Sequence, residues 1–478
     1  MDGDVKLKNF LEIPYDELEE RNTEAKEKRL TEDPEKLEAE YRGYLRKEKR
    51  IKAVTLCFTD IEGRFHMLDY DKKFLLNSSD ILTFDGSSIR GFSVQSESDL
   101  RLEVDWSSFT WLPSDLFGPG KVIIFTNILA RDKTQYMSDF RGLLQHLEKE
   151  ILGKEGLSAY VSAEIEGFLV DGVNAEQKFD EKNRFTLIST GGYYHSLPMD
   201  ALRQFIDSCA EAQRAMGFKN EKDHPEVAPS QFEMNYACTD AVKACDQIQL
   251  YKLICRQVAN KMGMTATFLP KPMMGINGSG MHTNFSLFKH GKNIFYDKHG
   301  KEGLSPVAWD YISKLLNHAP EICLIMNSSV NAYRRLDPHF EAPNQIKVSP
   351  VDRGAMIRIP ISNEKLARIE IRSVAPDTNP YLWLYTLIQT GMRGDPLKKD
   401  KTKRERLRFL PSTISDAIKL FKASEFIGKI LSRENKEKFF YFKQMVADRS
   451  PKELGTQVKN SEVIYHHEVT NQALWNTF

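Results

Sequence analysis

The spacing of apolar and polar positions changes repeatedly along the chain, and each change predicts an element. Residues 17–50, ELEERNTEAKEKRLTEDPEKLEAEYRGYLRKEKR, carry acids and bases at i,i+4 spacing. That predicts a solvated helical surface extension, interrupted at Pro34. From Ile51 the texture becomes apolar, and IKAVTLCFTDIEGRFHMLDY reads as two strands around a turn at Asp60-Ile61-Glu62-Gly63. ILTFDGSSIRGF (81–92) is a polar, glycine-containing loop in an apolar frame, and it lacks the spacing and lysine of a phosphate-binding Walker loop. The Pro/Gly cluster WLPSDLFGPG (111–120) predicts a domain boundary. Beyond it VIIFTNIL reads as strand, MSDFRGLLQHLEKEIL as amphipathic helix and AYVSAEIEGFLV as strand, and the alternation continues toward the C-terminus.

Length and composition narrow the class. The 478 residues, 41% of them hydrophobic, suffice for a large domain and a small one. Lys+Arg and Asp+Glu are equal at 67 each, so net charge gives no argument for nucleic acid or an anionic membrane. No apolar run approaches the roughly 18 residues of a membrane span, and a cytoplasmic location is expected. Six cysteines (57, 209, 238, 245, 255, 323) include no CxxC pair and read as reduced, buried thiols.

Charge chemistry must then be local, and residues 331–372 concentrate it. Arg334, Arg335, Arg353, Arg358, Arg368 and Arg372 fall in this stretch, several inside the strand-like runs MIRIPI and ARIEIR. A guanidinium cannot discard its proton and is costly to bury unpaired. In ARIEIR the strand period of two puts Arg368, Glu370 and Arg372 on one face. That face is either a solvated edge or one that meets anions, a metal, or both. Glu164 and Glu166 likewise share a strand face, and side by side they need a cation between them, a proton, or solvent. Glu226 and Glu233 follow in DHPEVAPSQFEMNY, and His282 follows a glycine-dense loop, with Asn284 and Ser286 on its strand face. Five carboxylates and an imidazole without thiolate suit Mg²⁺ or Mn²⁺ better than structural zinc. Divalent ions beside arginines are what phosphoryl transfer from ATP to an anionic substrate requires.

The ordered motifs DGSSIRGF, the EIE strand, HPEVAPSQFE, NGSGMH, FEAP, DRGAMIRIP and RIEIR resemble those of bacterial-type (type I) glutamine synthetases, over roughly residues 51–478. The resemblance implies an α+β fold. It comprises a small N-terminal β-grasp domain (51–118) and a large catalytic domain (119–478) with a curved antiparallel sheet flanked by helices, and the charged helical extension (1–50) precedes them. It also implies assembly into rings, usually two stacked hexamers, with active sites between subunits.

The resemblance further implies that Glu166, Glu226 and Glu233 hold one metal and Glu164, His282 and Glu370 another. Asn277, Gly278, Arg335 and Arg372 would seat L-glutamate. Glu221, Ser286, Arg358, Lys365 and Arg368 would serve ATP, and Arg353 would lie by the transferring phosphate. Glu341 would close the site and take a proton from the ammonium adduct, and Asp85 would reach across from a neighbouring subunit to bind ammonium. The implied reaction is ATP-dependent ligation of ammonia to glutamate. A ligase using a polyamine or ethanolamine, and a catalytically silent structural homologue, remain as alternatives.

Departures from the family pattern accompany the match. DHPEV replaces HHHEV, Asn284 replaces the second histidine of GMHxH, a change that bears on ATP affinity more than on metal binding, and RIEIRSVAPDTNPYL replaces the usual RIEVRFPD tail. The segment GMRGDPLKKDKTKRERLRFLPSTISDA has no tyrosine, so regulation by tyrosine adenylylation is not expected.

Overall fold

The structure, a computed structural model, describes residues 10–89, 92–93, 98–179, 184–195, 200–273, 275–336, 342–398 and 406–452. The first sheet contains β1 (Ala53–Thr59), β2 (Phe65–Asp71), β3 (Thr83–Asp85), β4 (Asp99–Val104), β5 (Thr110–Trp111) and β6 (Val122–Leu129). Its order is β2-β1-β6-β4-β3, with β5 added beside β6, and β1 and β6 run parallel at its centre. The β1–β2 turn forms where predicted. Asp60 Oδ1 accepts from the amides of Glu62 (2.9 Å) and Arg64 (3.0 Å), and Gly63 takes a positive φ of 94°. A Cβ on Gly63 would come within 2.8 Å of the Asn379 Cα, and the Asn379 side chain donates to the carbonyls of Asp60 and Ile61. The hairpin is thereby fastened to the start of the helix Pro380–Arg393.

Two features differ from the sequence expectation. The Pro/Gly cluster at 111–120 is the turn of a β5–β6 hairpin, with Thr110 opposite Ile123, so the first sheet continues to Leu129 instead of ending near 118. A hairpin turn and a linker need the same residues, and only pairing of the following strand distinguishes them. The charged extension is also built into the fold. Its helices, α1 (Tyr15–Thr31) and α2 (Pro34–Lys47), bury Leu18, Asn22 and Ala25 from one and Leu37, Tyr41 and Leu45 from the other. Asp33 caps α2 through the amide of Glu35, with Pro34 at the first helical position. The Tyr41 ring stacks on Phe109 with centroids 4.6 Å apart. Asn22 donates to the carbonyls of Trp111 (3.0 Å) and Ala215 (2.7 Å) and accepts from the Trp111 amide (3.0 Å).

The second sheet has ten strands: β7 (Leu157–Asp171), β8 (Asn220–Pro225), β9 (Gln231–Tyr236), β10 (Thr239–Asp240), β11 (Met264–Thr267), β12 (Met281–Lys289), β13 (Lys292–Asn293), β14 (Gln345–Ser349), β15 (Ala355–Arg358) and β16 (Ile369–Ile371). The main path is β14-β15-β16-β12-β7-β9-β8, antiparallel except for the β14–β15 pair. The long strand β7 is the spine, pairing with β9, β10, β11 and β12. Leu157, Ala159, Val161, Ala163 and Ile165 alternate into the core, which leaves Glu164 and Glu166 on the opposite face. Helices Phe140–Glu155, Ala201–Ala215, Ala241–Lys261, Pro306–Met326 and Pro380–Arg393 supply apolar side chains to the same core. Among the described residues no helix is long and apolar enough to cross a membrane.

One buried cation makes stability depend on pH. Lys252 lies in helix Ala241–Lys261 and donates to the Pro376 carbonyl, and burial, reinforced by Arg256, lowers its ammonium from an ordinary 10.5 to about 7. Between those values the unfolded chain holds a proton that the folded chain releases, so folding becomes more favourable as pH rises through this window. Comparing melting temperatures of wild type and Lys252→Met should therefore show the difference moving in favour of wild type between pH 7 and pH 10. A constant difference would contradict the burial argument.

Candidate active site

The open face of the second sheet gathers the acids scattered through the sequence. Register places His282 opposite Glu164, Glu233 opposite Glu166, and Arg358 opposite Glu370. Glu164, His282 and Glu370 offer ligand atoms all within 4.8 Å of one another. His282 Nδ1 lies 3.8 Å from Glu164 Oε2 and 3.5 Å from Glu370 Oε1. This is the trio expected from the sequence.

The other trio changes membership. Glu226 and Glu233 group with His224, whose Nδ1 is 3.7 Å from Glu226 and whose Nε2 is 3.5 Å from Glu233. Glu166 sits between the groups, its Oε1 4.0 Å from His282 Nε2 and its Oε2 accepting from the Gly280 amide at 2.6 Å. Sequence reasoning missed His224 because it treated DHPEV as a lost histidine run, although 224 and 226 are two apart and 224 lies in β8 opposite Glu233.

The electrostatics explain why the groups face one cavity. Burial drives the Glu226 carboxyl up to about 7, helped by the charges of Glu166 and Glu233, and burial likewise raises Glu166. At Glu164 burial acts upward too, but the hydrogen bond and charge of His282, with Asn284 and Arg358, prevail and hold the carboxyl at about 2. Burial lowers His282 and His224, yet the carboxylates around each raise them on balance. Such crowded acids hold protons or a cation. Two oxygen-rich groups, each with one imidazole and no thiolate, fit Mg²⁺ or Mn²⁺.

The arginines line the same cavity, about 350 Å³ in volume, together with Asn277 and Gly278. Arg358 pairs with Glu370, and Arg372 Nε lies 3.3 Å from the same carboxylate. Arg335 is buried, donates to the Arg372 carbonyl at 2.8 Å, and has its Nη1 without a partner among the described residues. Burial, with the charge of Arg372, lowers its guanidinium to about 10 against the opposing pull of Glu166. An anionic group in the cavity would satisfy that orphaned donor. Arg353 and Arg368 complete this wall.

A second cavity of about 320 Å³ abuts the first, sharing Glu164, Lys222 and Arg368. Glu221, Ser286 and Lys365 line it, whereas Arg358, expected with them, lines the first cavity. Asn284 stands at the junction. Its amide donates to Glu164 at 3.0 Å and its carbonyl oxygen accepts from Arg368 at 2.9 Å, so it ties a cation to a cluster carboxylate.

Asp85 lines neither cavity of the single chain. It is exposed at the end of β3, accepting from Ser87 and Ser88. Glu341 lies outside the described residues.

Comparison with known families decides among the ligases and binding proteins that such a cavity could serve. Residues 50–130 match the glutamine synthetase β-grasp domain and residues 137–459 its catalytic domain. The chain belongs to the glutamine synthetase family. It is an enzyme of this family of ATP-dependent ligases, with the β-grasp and catalytic domains that the fold displays. Glutamine synthetase of Staphylococcus aureus strain MRSA252 is 34% identical over 426 residues, 84% of this chain and 92% of its own. That of Methanosarcina mazei is 34% identical over 420 residues, with the same coverage. Among solved structures, Plasmodium falciparum glutamine synthetase superposes with a TM-score of 0.79 at 23% identity, covering 88% of this chain and 98% of its own. GmaS in complex with ADP gives 0.75 at 24%, covering 88% and 99%. Residues 10–49 precede both family-matched ranges.

Proposed function

We propose that the protein ligates ammonia to the γ-carboxylate of L-glutamate at the expense of ATP, giving glutamine, ADP and phosphate. The observation that carries this reading is the junction of the two cavities, where paired acid–histidine clusters face Arg335, Arg353, Arg358 and Arg372 beside a second compartment large enough for part of a nucleotide.

Asn277, Gly278, Arg335 and Arg372 seat glutamate in the first cavity, and Glu221, Ser286, Lys365 and Arg368 hold the nucleotide in the second. Mg²⁺ or Mn²⁺ held by Glu164, His282 and Glu370 and by Glu226 and Glu233 with Glu166 or His224 would neutralise phosphate oxygens during transfer. A γ-carboxylate oxygen attacks the terminal phosphorus, and the bond to ADP breaks with its electron pair on the leaving oxygen. Arg353 and Arg358 lie where the charge of the moving phosphoryl group develops. The product is γ-glutamyl phosphate. The nitrogen of ammonia then attacks the acyl carbon, and the acyl–oxygen bond breaks to release phosphate.

Ammonium must lose one proton before it attacks and the acylated nitrogen a second afterwards to leave the neutral amide, and in this reading Asp85 accepts the first and Glu341 the second. Asp85 would reach the site from a neighbouring copy in a ring, which accounts for its exposure in one chain. A primary amine in place of ammonium is the second reading, since Asp85, the acid assigned here to ammonium, lines neither cavity of the single chain.

The deciding measurement is phosphate release with ATP, glutamate and Mg²⁺, with and without ammonium or primary amines. Ammonium should stimulate release, and Asp85→Ala should reduce that stimulation about 100-fold, the usual scale for a positioned acid–base group. Stimulation by an amine alone would move the assignment to an amine ligase, and no turnover with any acceptor would rule out ligase activity.

A further inference from the structure

Away from the active site, α1 roofs a cavity of about 200 Å³ lined by Lys26, Arg29, Lys219, Asp240, Lys243 and Gln247, with Tyr160 and Cys238 shared with the proposed nucleotide compartment. Four cations converge here from α1, from the segment before β8 and from helix Ala241–Lys261. Arg29 is taken up by Asp240, which also caps that helix through the Lys243 amide. Lys219 and the opposing Glu27 are both exposed. The remaining two charges lie in the wall.

Lys26 donates to the Gly217 carbonyl and sits 4.8 Å from the centre of the Phe218 ring. Lys243 is only 4% exposed, and its ammonium has no hydrogen bond or ion pair among the described residues. The acids nearest to it are engaged elsewhere: Asp246 and Asp105 by Arg141, Asp240 by Arg29, and Glu148 by the Ala241 amide. Gln247, one helical turn on, has a buried Oε1 that is also unpartnered. Burial and the charges of Lys243, Arg29 and Lys219 hold the Lys26 ammonium well below its ordinary value. Asp246, Asp240 and Asp105 attract the Lys243 ammonium at a distance but none bonds to it, and a buried lysine without a hydrogen-bond partner is costly unless something anionic enters the cavity it faces.

We propose that this cavity is an anion site for a phosphate-class group, clamped between Lys26 of the N-terminal extension and Lys243 of the catalytic domain. Lysine ammoniums approaching from different elements suit a tetrahedral oxyanion, which accepts from several directions. A planar carboxylate would favour the fork of Arg29, which Asp240 already occupies. Lys26 and Arg29 precede both family-matched ranges, so one wall of the site comes from the extension while Lys243 and Gln247 come from the catalytic domain. The occupant is free phosphate or the phosphate end of a larger molecule.

The test uses the full chain. In crystals soaked with tungstate, a tetrahedral heavy anion, an anomalous peak should appear between the Lys26 and Lys243 ammoniums. In solution, inorganic phosphate should raise the melting temperature saturably, and Lys243→Met and Lys26→Met should each weaken apparent affinity at least tenfold. Lys243→Met should also melt higher than wild type without phosphate, since it removes an unpaired buried charge. Phenyl phosphate separates the sources: a matching rise identifies the end of a larger molecule, and no rise identifies the free anion. An empty cavity in the tungstate map, or a phosphate response equal in wild type and both variants, would overturn the proposal, and Lys26→Met carries the comparison if Lys243→Met fails to fold.

Discussion

Glu370→Gln is expected to cut ligase activity by a factor of about 10³ or more while keeping side-chain volume. Glu370 is 1% exposed and faces His282, Arg358 and Arg372, so one carboxylate serves the first acid–histidine cluster and the arginine wall together. Removing its charge leaves those cations facing one another. Breaking a fully buried pair costs about 3–5 kcal/mol. Arg358 is 37% exposed and can turn to solvent, so a loss of about 2–3 kcal/mol is expected here. Adding Arg358→Gln should recover part of the melting temperature and none of the activity, which separates the folding role from the chemical one. Activity in Glu370→Gln above a tenth of wild type would sink the assignment.

Deleting residues 1–49 should leave a chain that is insoluble or melts more than about 10 °C lower. Leu18, Leu37, Tyr41 and Leu45 are each at most 3% exposed, and full burial of such side chains contributes about 1.5–3 kcal/mol apiece before the entropy of ordering two helices is subtracted. The deletion would uncover Phe109 and Trp111 and leave the Trp111 amide and carbonyl unpaired. Asn22→Ala is the milder version, with an expected cost of about 2–4 kcal/mol for the buried groups it orphans. A chain starting at Arg50 with an unchanged melting temperature would show that the extension is only a surface attachment.

The parts of this fold that could be read from the sequence are those where a period of two meets a charged residue. Glu164 with Glu166, and Glu370 between two arginines, announced their shared faces, and the register of β7, β12 and β16 brings them to one cavity. His224 was legible in the same way but was overshadowed by the departure around it. Asn284 read as a lost histidine, whereas its amide offers a donor and an acceptor at once, and the structure uses both. In the extension the high charge density hid the apolar spacing of Leu37, Tyr41 and Leu45, four residues apart. Asp85 lines neither cavity of the chain, and Glu341 lies outside the described residues.

The Asn22 clasp also constrains the order of events during synthesis. Its partners Trp111 and Ala215 follow it by 89 and 193 residues. At typical elongation rates of about 5–20 residues per second, α1 emerges roughly ten seconds or more before the second of these exists. Until the first sheet is complete at Leu129, an otherwise highly charged helix carries its small apolar stripe without a place to dock, and its bond to the Ala215 carbonyl waits longer still. The charge density that obscured the stripe in the sequence is then what keeps the nascent helix in solution until its surface is made.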